Sequence, residues 1–293
     1  MRAFLSLRRR PLGLLGGAVV ALWLTCALLA PWLAPHDPLR SFVPLTLPFS
    51  GTPQDGVFYL GTDILGRDIL SRLVFGARSV MIWSCLATGT AYIFGIATGL
   101  AAGFYRGAID RLLSFAANVI LSFPILVLYL VVITRFGASG LNIILAVTFA
   151  SSPAIFRIVR ALTLDLRGRD FVEASVTQGE SAWRIMLVDI LPNASGPLVV
   201  DACLRLGYTA ITIGVLGFLG LGLPPPTPDW GGMVNEGRSL AIAFPHLIVF
   251  PCIAISSLML GLSLLSDALR EAGQAAFAGG TPSEAIAPPA APV

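Results

Sequence analysis

The chain has no lysine, only two histidines and four cysteines, and just 12% of its 293 residues are charged. A soluble domain carries about a quarter charged residues, so this chain cannot give one or two cores a polar surface. The cysteines, Cys26, Cys85, Cys203 and Cys252, each sit in an apolar run without CxxC spacing, which supports neither a zinc site nor a disulfide framework. All 19 basic residues are arginine and the net charge is +3, too small and too dispersed for a nucleic-acid partner. What is abundant is apolar: 56% of residues, with a mean hydropathy of +0.83. The composition is that of a membrane protein and excludes disorder and collagen.

A bilayer core takes about 20 apolar residues per helix. Uncharged stretches predict six spans near 12–34, 79–103, 112–134, 141–159, 198–222 and 243–266. Arg8, Arg9 and Arg10 precede the first, whose apolar run is long for a signal peptide and is read as a retained anchor. With both termini cytoplasmic, Arg2, Arg8, Arg9, Arg10, Arg106, Arg111, Arg157, Arg160, Arg167, Arg169, Arg184 and Arg270 fall inside. Arg40, Arg67, Arg72, Arg78, Arg135 and Arg238 fall outside, and Arg205 lies within a span. The bias follows the positive-inside rule. The expected organisation is a cytoplasmic N-terminus and first helix (1–34), an outer segment (35–77), a transmembrane domain (78–270) with a large cytoplasmic loop (160–197), and a disordered tail (271–293).

That loop is the most informative stretch. Asp170-Phe171-Val172-Glu173 has the form of a capping box starting a helix to about Gln178, and Gly179 suits a left-handed stop. Ser181 suits the cap of a second helix through Trp183 and Ile190, with Pro192 marking the next break. Glu173-Ala174-Ser175, then Gly179, then Ile190-Leu191-Pro192 resembles the EAA signature of permease subunits of bacterial ABC importers. Ser175 stands where the second alanine is usual, and Asp189 where Ile or His is more often found. The resemblance implies that Phe171, Glu173, Ala174, Ser175, Gly179, Ile190, Leu191 and Pro192 form the loop that couples to an ATPase subunit.

Two further segments narrow the resemblance. Gly61-Thr62-Asp63-Ile64-Leu65-Gly66-Arg67-Asp68, with Ser71-Arg72 and Gly76-Ala77-Arg78-Ser79, is similar to the segment before the second helix of dipeptide, oligopeptide and nickel importer permeases. Phe218-Leu219-Gly220-Leu221-Gly222, the proline run to Pro228-Asp229-Trp230-Gly231, and Glu236-Gly237-Arg238 resemble the end of the fifth helix and the outer loop of that family. On the residues themselves, Thr62 and Asp63 are candidate caps of a short helix, Arg67 and Asp68 candidate charge pairs, and Trp230 suits the interfacial belt. Gly214, Gly217, Gly220 and Gly222 form a small-residue stripe suited to close helix contact.

Departures from the family lie in the helices. Ile213 stands where relatives often carry Glu, and Phe115 and Asn118 where they more often carry Arg and Asp. Asp201 and Arg205 lie one helical turn apart, near the inner end of the fifth span, as an internal salt bridge or as a polar lining of a pathway. With Pro225 and Trp230 they are the candidate pathway or outer-gate residues. His246 reads as an interfacial packing residue, since no second metal ligand stands at helical spacing.

The expected fold is therefore an all-α membrane protein of six helices, a type I importer core of five plus an N-terminal helix. The resemblance implies a C-type inner-membrane permease that pairs with a second permease, two ATPase subunits that use ATP and Mg, and a periplasmic substrate-binding protein, with di- or oligopeptides as the default cargo. The chain carries no GxxxxGK[ST] loop, and no catalytic, metal or cofactor residue is expected in it. Two other classes compete. Gly137-Ala138-Ser139-Gly140 with His246 is similar to the dyad of rhomboid intramembrane proteases, although a tight turn also explains it. An ion-coupled secondary transporter would place acidic residues at mid-membrane in broken helices.

Overall fold

The computed structural model describes residues 11–278. Arg2, Arg8, Arg9 and Arg10, and the part of the expected tail beyond 278, lie outside the described residues. The first helix, α1 (Pro11–Leu28), is followed by a single turn, α2 (Ala30–Leu33), and a two-stranded antiparallel hairpin, β1 (Ser50–Thr52) and β2 (Gly56–Phe58). Then come α3 (Ile69–Tyr105), α4 (Gly107–Leu121), α5 (Ile125–Phe136), α6 (Gly140–Arg167) and α7 (Asp170–Thr177). The long helix α8 (Ala182–Phe218), the short α9 (Trp230–Gly237) and α10 (His246–Ala278) complete the order.

Five of these helices are long and apolar enough to cross a bilayer, and six spans result when the bent pair α4 and α5 is counted as one. The bend is 86°. Its cause is Pro124, which has no N–H to continue the ladder and pushes Phe123 out of the helical region. The span expected at 112–134 is thus two helices meeting at an angle. Other spans are longer than their apolar stretches: α3 and α8, of 37 residues each, run about 55 Å at 1.5 Å per residue, well beyond a hydrocarbon core of about 30 Å. Residues 271–278, expected in a disordered tail, continue helix α10.

The break between α3 and α4 falls at Arg106 and Gly107, which both take positive φ (58° and 61°). From there α6 returns along α3, and their contact is built on glycine. A Cβ on Gly95, Gly99 or Gly103 would stand 2.6 Å from side-chain atoms of Ile155, Val159 and Thr163 respectively. Both sets are spaced i, i+4, i+8, so the bare ridge of α3 receives the β-branched row of α6, the small-residue packing that membrane helices use. Helix α1 docks on α10 in the same manner, with Gly16 against the backbone at Gly261.

The expected stripe on the fifth span is only half present. Gly214 and Gly217 lie within α8, facing Ile255 of α10 and the start of α9 respectively. Gly220 is a left-handed turn residue (φ 77°) past the helix end, and Gly222 folds back on Gly217. Ile213, where relatives often have Glu, is fully buried in an apolar cluster with Tyr129, Ile133 and Ile143.

Candidate functional site

Three places in the fold carry the residues singled out by the sequence. The first is the loop at one end of the bundle. Helix α7 begins one residue earlier than expected: Arg169 is the N-cap, and Asp170 lies in the first turn with no side-chain cap bond formed. The capping-box reading is corrected accordingly, although Asp170 and Glu173 still place negative charge at the helix N-terminus. The stop is as expected. Gly179 has φ 77°, its N–H donates to Val176 O at 3.0 Å, and Glu180 N–H donates to Ser175 O at 3.2 Å. These two bonds are the Schellman pattern.

Ser181 then caps the next helix, accepting from Arg184 N–H at 3.4 Å. Pro192 does not break it. The backbone widens to a π-helix over Ile185–Ile190 and continues without interruption into the membrane span. The wide turn lies just ahead of the proline, which is how a helix accommodates a residue lacking an N–H. Val172 is buried against Ile185, Met186 and Ile190, which fixes α7 to the foot of α8. Phe171, Glu173 and Ala174 are exposed, as are Val176, Gly179, Trp183 and Pro192. Ser175 is half-buried and its hydroxyl donates to Phe171 O at 3.1 Å. The loop thus presents a short, anchored rod whose outward face includes two large apolar side chains.

The second place, at the opposite end, joins the two other motif segments. Asp63 does not cap a helix. Its Oδ1 accepts from the backbone N–H of Leu65 and of Arg67, both at 2.9 Å, closing a turn. Its Oδ2 accepts from Arg67 Nε at 2.7 Å and Arg72 Nη1 at 2.5 Å. Arg67 Nη2 reaches Glu236 Oε2 of α9 at 2.6 Å, and Arg72 Nη1 reaches the same oxygen at 3.1 Å. Asp68 is the cap of α3, accepting from Ser71 N–H at 3.1 Å, and it also meets His36 Nδ1 at 3.3 Å. Arg67 and Arg72 are buried, and loss of one partner from a buried pair typically costs about 3–5 kcal/mol.

Trp230 is not interfacial. It is fully buried, edge-on to Trp23 of α1 at 4.8 Å between ring centroids, and its Nε1–H donates to Leu73 O at 2.8 Å. Pro225 lines a small cavity of about 30 Å³ with Arg67, Arg72, Asp229 and Glu236. Asp229 caps α9, accepting from Gly232 N–H at 3.0 Å. Burial pushes its carboxyl up to about 6, against the opposing pull of the Gly232 and Gly231 amides. Burial likewise raises Glu236, partly offset by Arg67.

The third place is within the membrane. Asp201 and Arg205 form the i,i+4 salt bridge, Nε to Oδ2 at 2.6 Å, with both side chains 22% exposed. The helix starts far earlier than the expected 198, so the pair lies near the middle of the helix, whose first turns precede the expected span. Sequence reasoning missed its third member: Tyr92 of α3 donates its hydroxyl to Asp201. Nor did the sequence show that Asn118 accepts from Arg157 of α6 at 2.7 Å, or that Arg160 pairs with Asp110.

The protease-like pair is not assembled. Ser139 Oγ accepts from Asn142 N–H at 3.2 Å as the cap of α6. His246 is buried at the start of α10, beside Phe244 and close to Gly61. Each residue has a local structural role.

With this geometry in view, residues 95–274 match the family described as the binding-protein-dependent transport system inner membrane component. The chain belongs to this family. Residues 1–49 match the N-terminal transmembrane domain of oligopeptide transport permease C. Among curated relatives, the glutathione transport system permease protein GsiD of Pectobacterium atrosepticum is 35% identical, over 90% of this chain and 87% of that protein. The di/tripeptide transport system permease protein DppC of Pseudomonas aeruginosa is 36% identical, over 89% of this chain and 87% of its own length. The permease of the MetNI methionine ABC transporter, in an inward-facing conformation, shares the fold at a TM-score of 0.53 and 19% identity, covering 68% of this chain and 96% of its own. The family resemblance read from the three motifs is borne out, and with it the all-helical type I permease fold. The chain is a multi-pass inner-membrane permease subunit of an ABC importer, and neither the protease nor the secondary-transporter reading is supported.

Proposed function

We propose that this permease forms the translocation pathway for di- or oligopeptides together with a second permease subunit, driven by two ATPase subunits that bind ATP and Mg, and supplied by a periplasmic binding protein. Both termini and α7 lie on the cytoplasmic side, and the Asp63, Arg67, Arg72 and Glu236 cluster faces the periplasm. The observation that carries the coupling role is α7: a two-turn rod with Phe171, Glu173 and Ala174 exposed, stopped by left-handed Gly179 and fixed to α8 by buried Val172. A rod anchored in this way passes a movement of the ATPase to the membrane helices as a rigid body, where a flexible loop would absorb it. Asp201 and Arg205 belong to the pathway, and Pro225 and Trp230 to the outer element that gates it.

The peptide assignment is supported by the names of the relatives, which are peptide and glutathione permeases. The test is uptake of labelled dialanine by the complete complex in proteoliposomes. Uptake that requires ATP and the ATPase subunits is expected. Uptake that persists without them would remove the importer assembly, and absence of any peptide uptake would remove the peptide assignment.

A further inference from the structure

Helix α8 carries a polar stripe along one side of its second half: Asp201, Arg205, Tyr208 and Thr212. Their spacing, i, i+4, i+7 and i+11, puts all four on one face. Neighbouring helices add to it. Tyr92 of α3 donates to Asp201, and Tyr129 of α5, bonded to Ser151 of α6 at 3.2 Å, has its hydroxyl beside Thr212. The stripe is open on its outer side, since Tyr208 is 59% exposed and the two charged side chains 22% each. A charge in contact with hydrocarbon is costly even on the lenient insertion scale, so such a face belongs against water, a polar cargo or a polar surface of the second permease.

We propose that this face is a zwitterion-accepting site in the pathway, with Arg205 taking the carboxylate end and Asp201 the ammonium end of a short peptide. The proposal rests on the peptide reading above and names the residues that would serve it. Geometry supports the match. The charged groups stand 2.6 Å apart in their own salt bridge, but the two residues are rooted about 6 Å apart along the axis, so the side chains can part to meet the two ends of an extended dipeptide, which are separated by a similar distance. A guanidinium is suited to two-point binding of a carboxylate. Energetics support it as well. In the empty site the two charges neutralise each other and Tyr92 holds the carboxylate. With cargo bound, each exchanges one charge-assisted contact for another. Binding is then close to balanced, as a pathway requires if its cargo is to leave again.

The experiment uses the complete complex in proteoliposomes, with Cys26, Cys85, Cys203 and Cys252 replaced by serine and Tyr208→Cys introduced. The new thiol is expected to react with a membrane-impermeant sulfonate thiosulfonate reagent. Excess dialanine should slow the reaction, whereas N-acetyl-dialanine amide, which lacks both charges, should not. Arg205→Gln and Asp201→Asn, in the native-cysteine complex, should each lower dialanine uptake by about tenfold or more, the loss of one charge-assisted contact. An inert thiol, or equal protection by the capped peptide, overturns the proposal even if the charge variants fail to assemble. So does unchanged uptake in both charge variants. Absence of ATP-driven dialanine uptake by the unmodified complex would instead remove the peptide reading and, with it, this site.

Discussion

Trp230 is seated directly on Gly76. A Cβ at Gly76 would lie 2.6 Å from Cδ1 and 2.7 Å from Nε1 of the indole, and that same Nε1 bonds the carbonyl of Leu73 one turn earlier in α3. The glycine is therefore what lets the outer helix α9 lie against the start of α3, and it joins two sequence segments more than 150 residues apart. Gly76→Ala should push the indole off its carbonyl. The expected loss is about 1–3 kcal/mol, the usual cost of overpacking, read as a lower melting temperature of the purified subunit in detergent. Trp230→Phe removes Nε1, and with it the hydrogen bond and part of the glycine contact, and leaves space beside Trp23, so it should lower the melting temperature as well.

The ridge of Gly95, Gly99 and Gly103 makes a second steric prediction. Their facing partners Ile155, Val159 and Thr163 are buried and already in contact with the bare backbone of α3. Gly99→Leu has no room to relax, because the clash is with β-carbons rather than flexible ends. It should part α3 from α6 and abolish accumulation of folded subunit in the membrane. Gly99→Ala should lower the level as well, since its Cβ already meets Val159 Cβ at 2.6 Å, and adding Val159→Ala should restore part of it by removing the opposing branch; membrane content measured by immunoblot decides it. A full level of Gly99→Leu would show that this contact does not hold the helices together.

What the sequence revealed, and what it did not, follows the range of each signal. Gly179 was legible because a helix stop is a local backbone event, and the coupling loop because its residues lie close together. The spans were found from hydropathy, but their ends were not. Hydropathy reports the lipid-facing length, while α3 and α8 run on as helices into polar surroundings. Asp63 looked like a helix cap because its strongest partners, Arg72 and, through it, Glu236, are brought together only by folding. Trp230 looked interfacial for the same reason: Trp23 and Gly76 come to it from different helices. The Gly95, Gly99 and Gly103 spacing was present in the sequence, yet without the matching row on α6 nothing marked it as the principal seam.

Asp229 gives a prediction in pH. Burial raises its carboxyl from 3.8 to about 6. An acid whose folded value exceeds its unfolded value holds its proton more tightly in the folded state. The contribution of Asp229 to stability is therefore greatest at low pH, falls as pH rises from about 4 to about 6, and is flat above. The contribution lost across that window is roughly 2–3 kcal/mol. Asp229→Asn keeps an acceptor for Gly232 N–H and is a good N-cap, so α9 should still form. The variant should melt with a shallower pH dependence than the native chain between pH 4 and 6.5, and a smaller residual slope should remain from Glu236, which is raised as well. Identical pH profiles for the two proteins would show that Asp229 does not titrate in this range.

The coupling role of α7 makes the sharpest functional prediction, because it separates a backbone requirement from a steric one. Gly179 has φ 77°, and a Cβ placed there meets nothing within 4 Å. Gly179→Ala therefore meets only the backbone cost of a left-handed residue, about 1 kcal/mol, and should leave uptake close to normal. Gly179→Pro is different: proline is held near φ −65° and removes the N–H that donates to Val176 O. The stop is then lost, and α7 can no longer keep its angle to α8. In the complete complex, Gly179→Pro should retain ATP hydrolysis while peptide uptake falls by an order of magnitude or more, with the subunit still inserted. Glu173→Lys should do the same from the exposed face, by reversing charge where the rod meets its partner. Normal uptake in both Gly179→Pro and Glu173→Lys would show that this loop does not carry the coupling, because the first alters the rod's geometry and the second its contact surface.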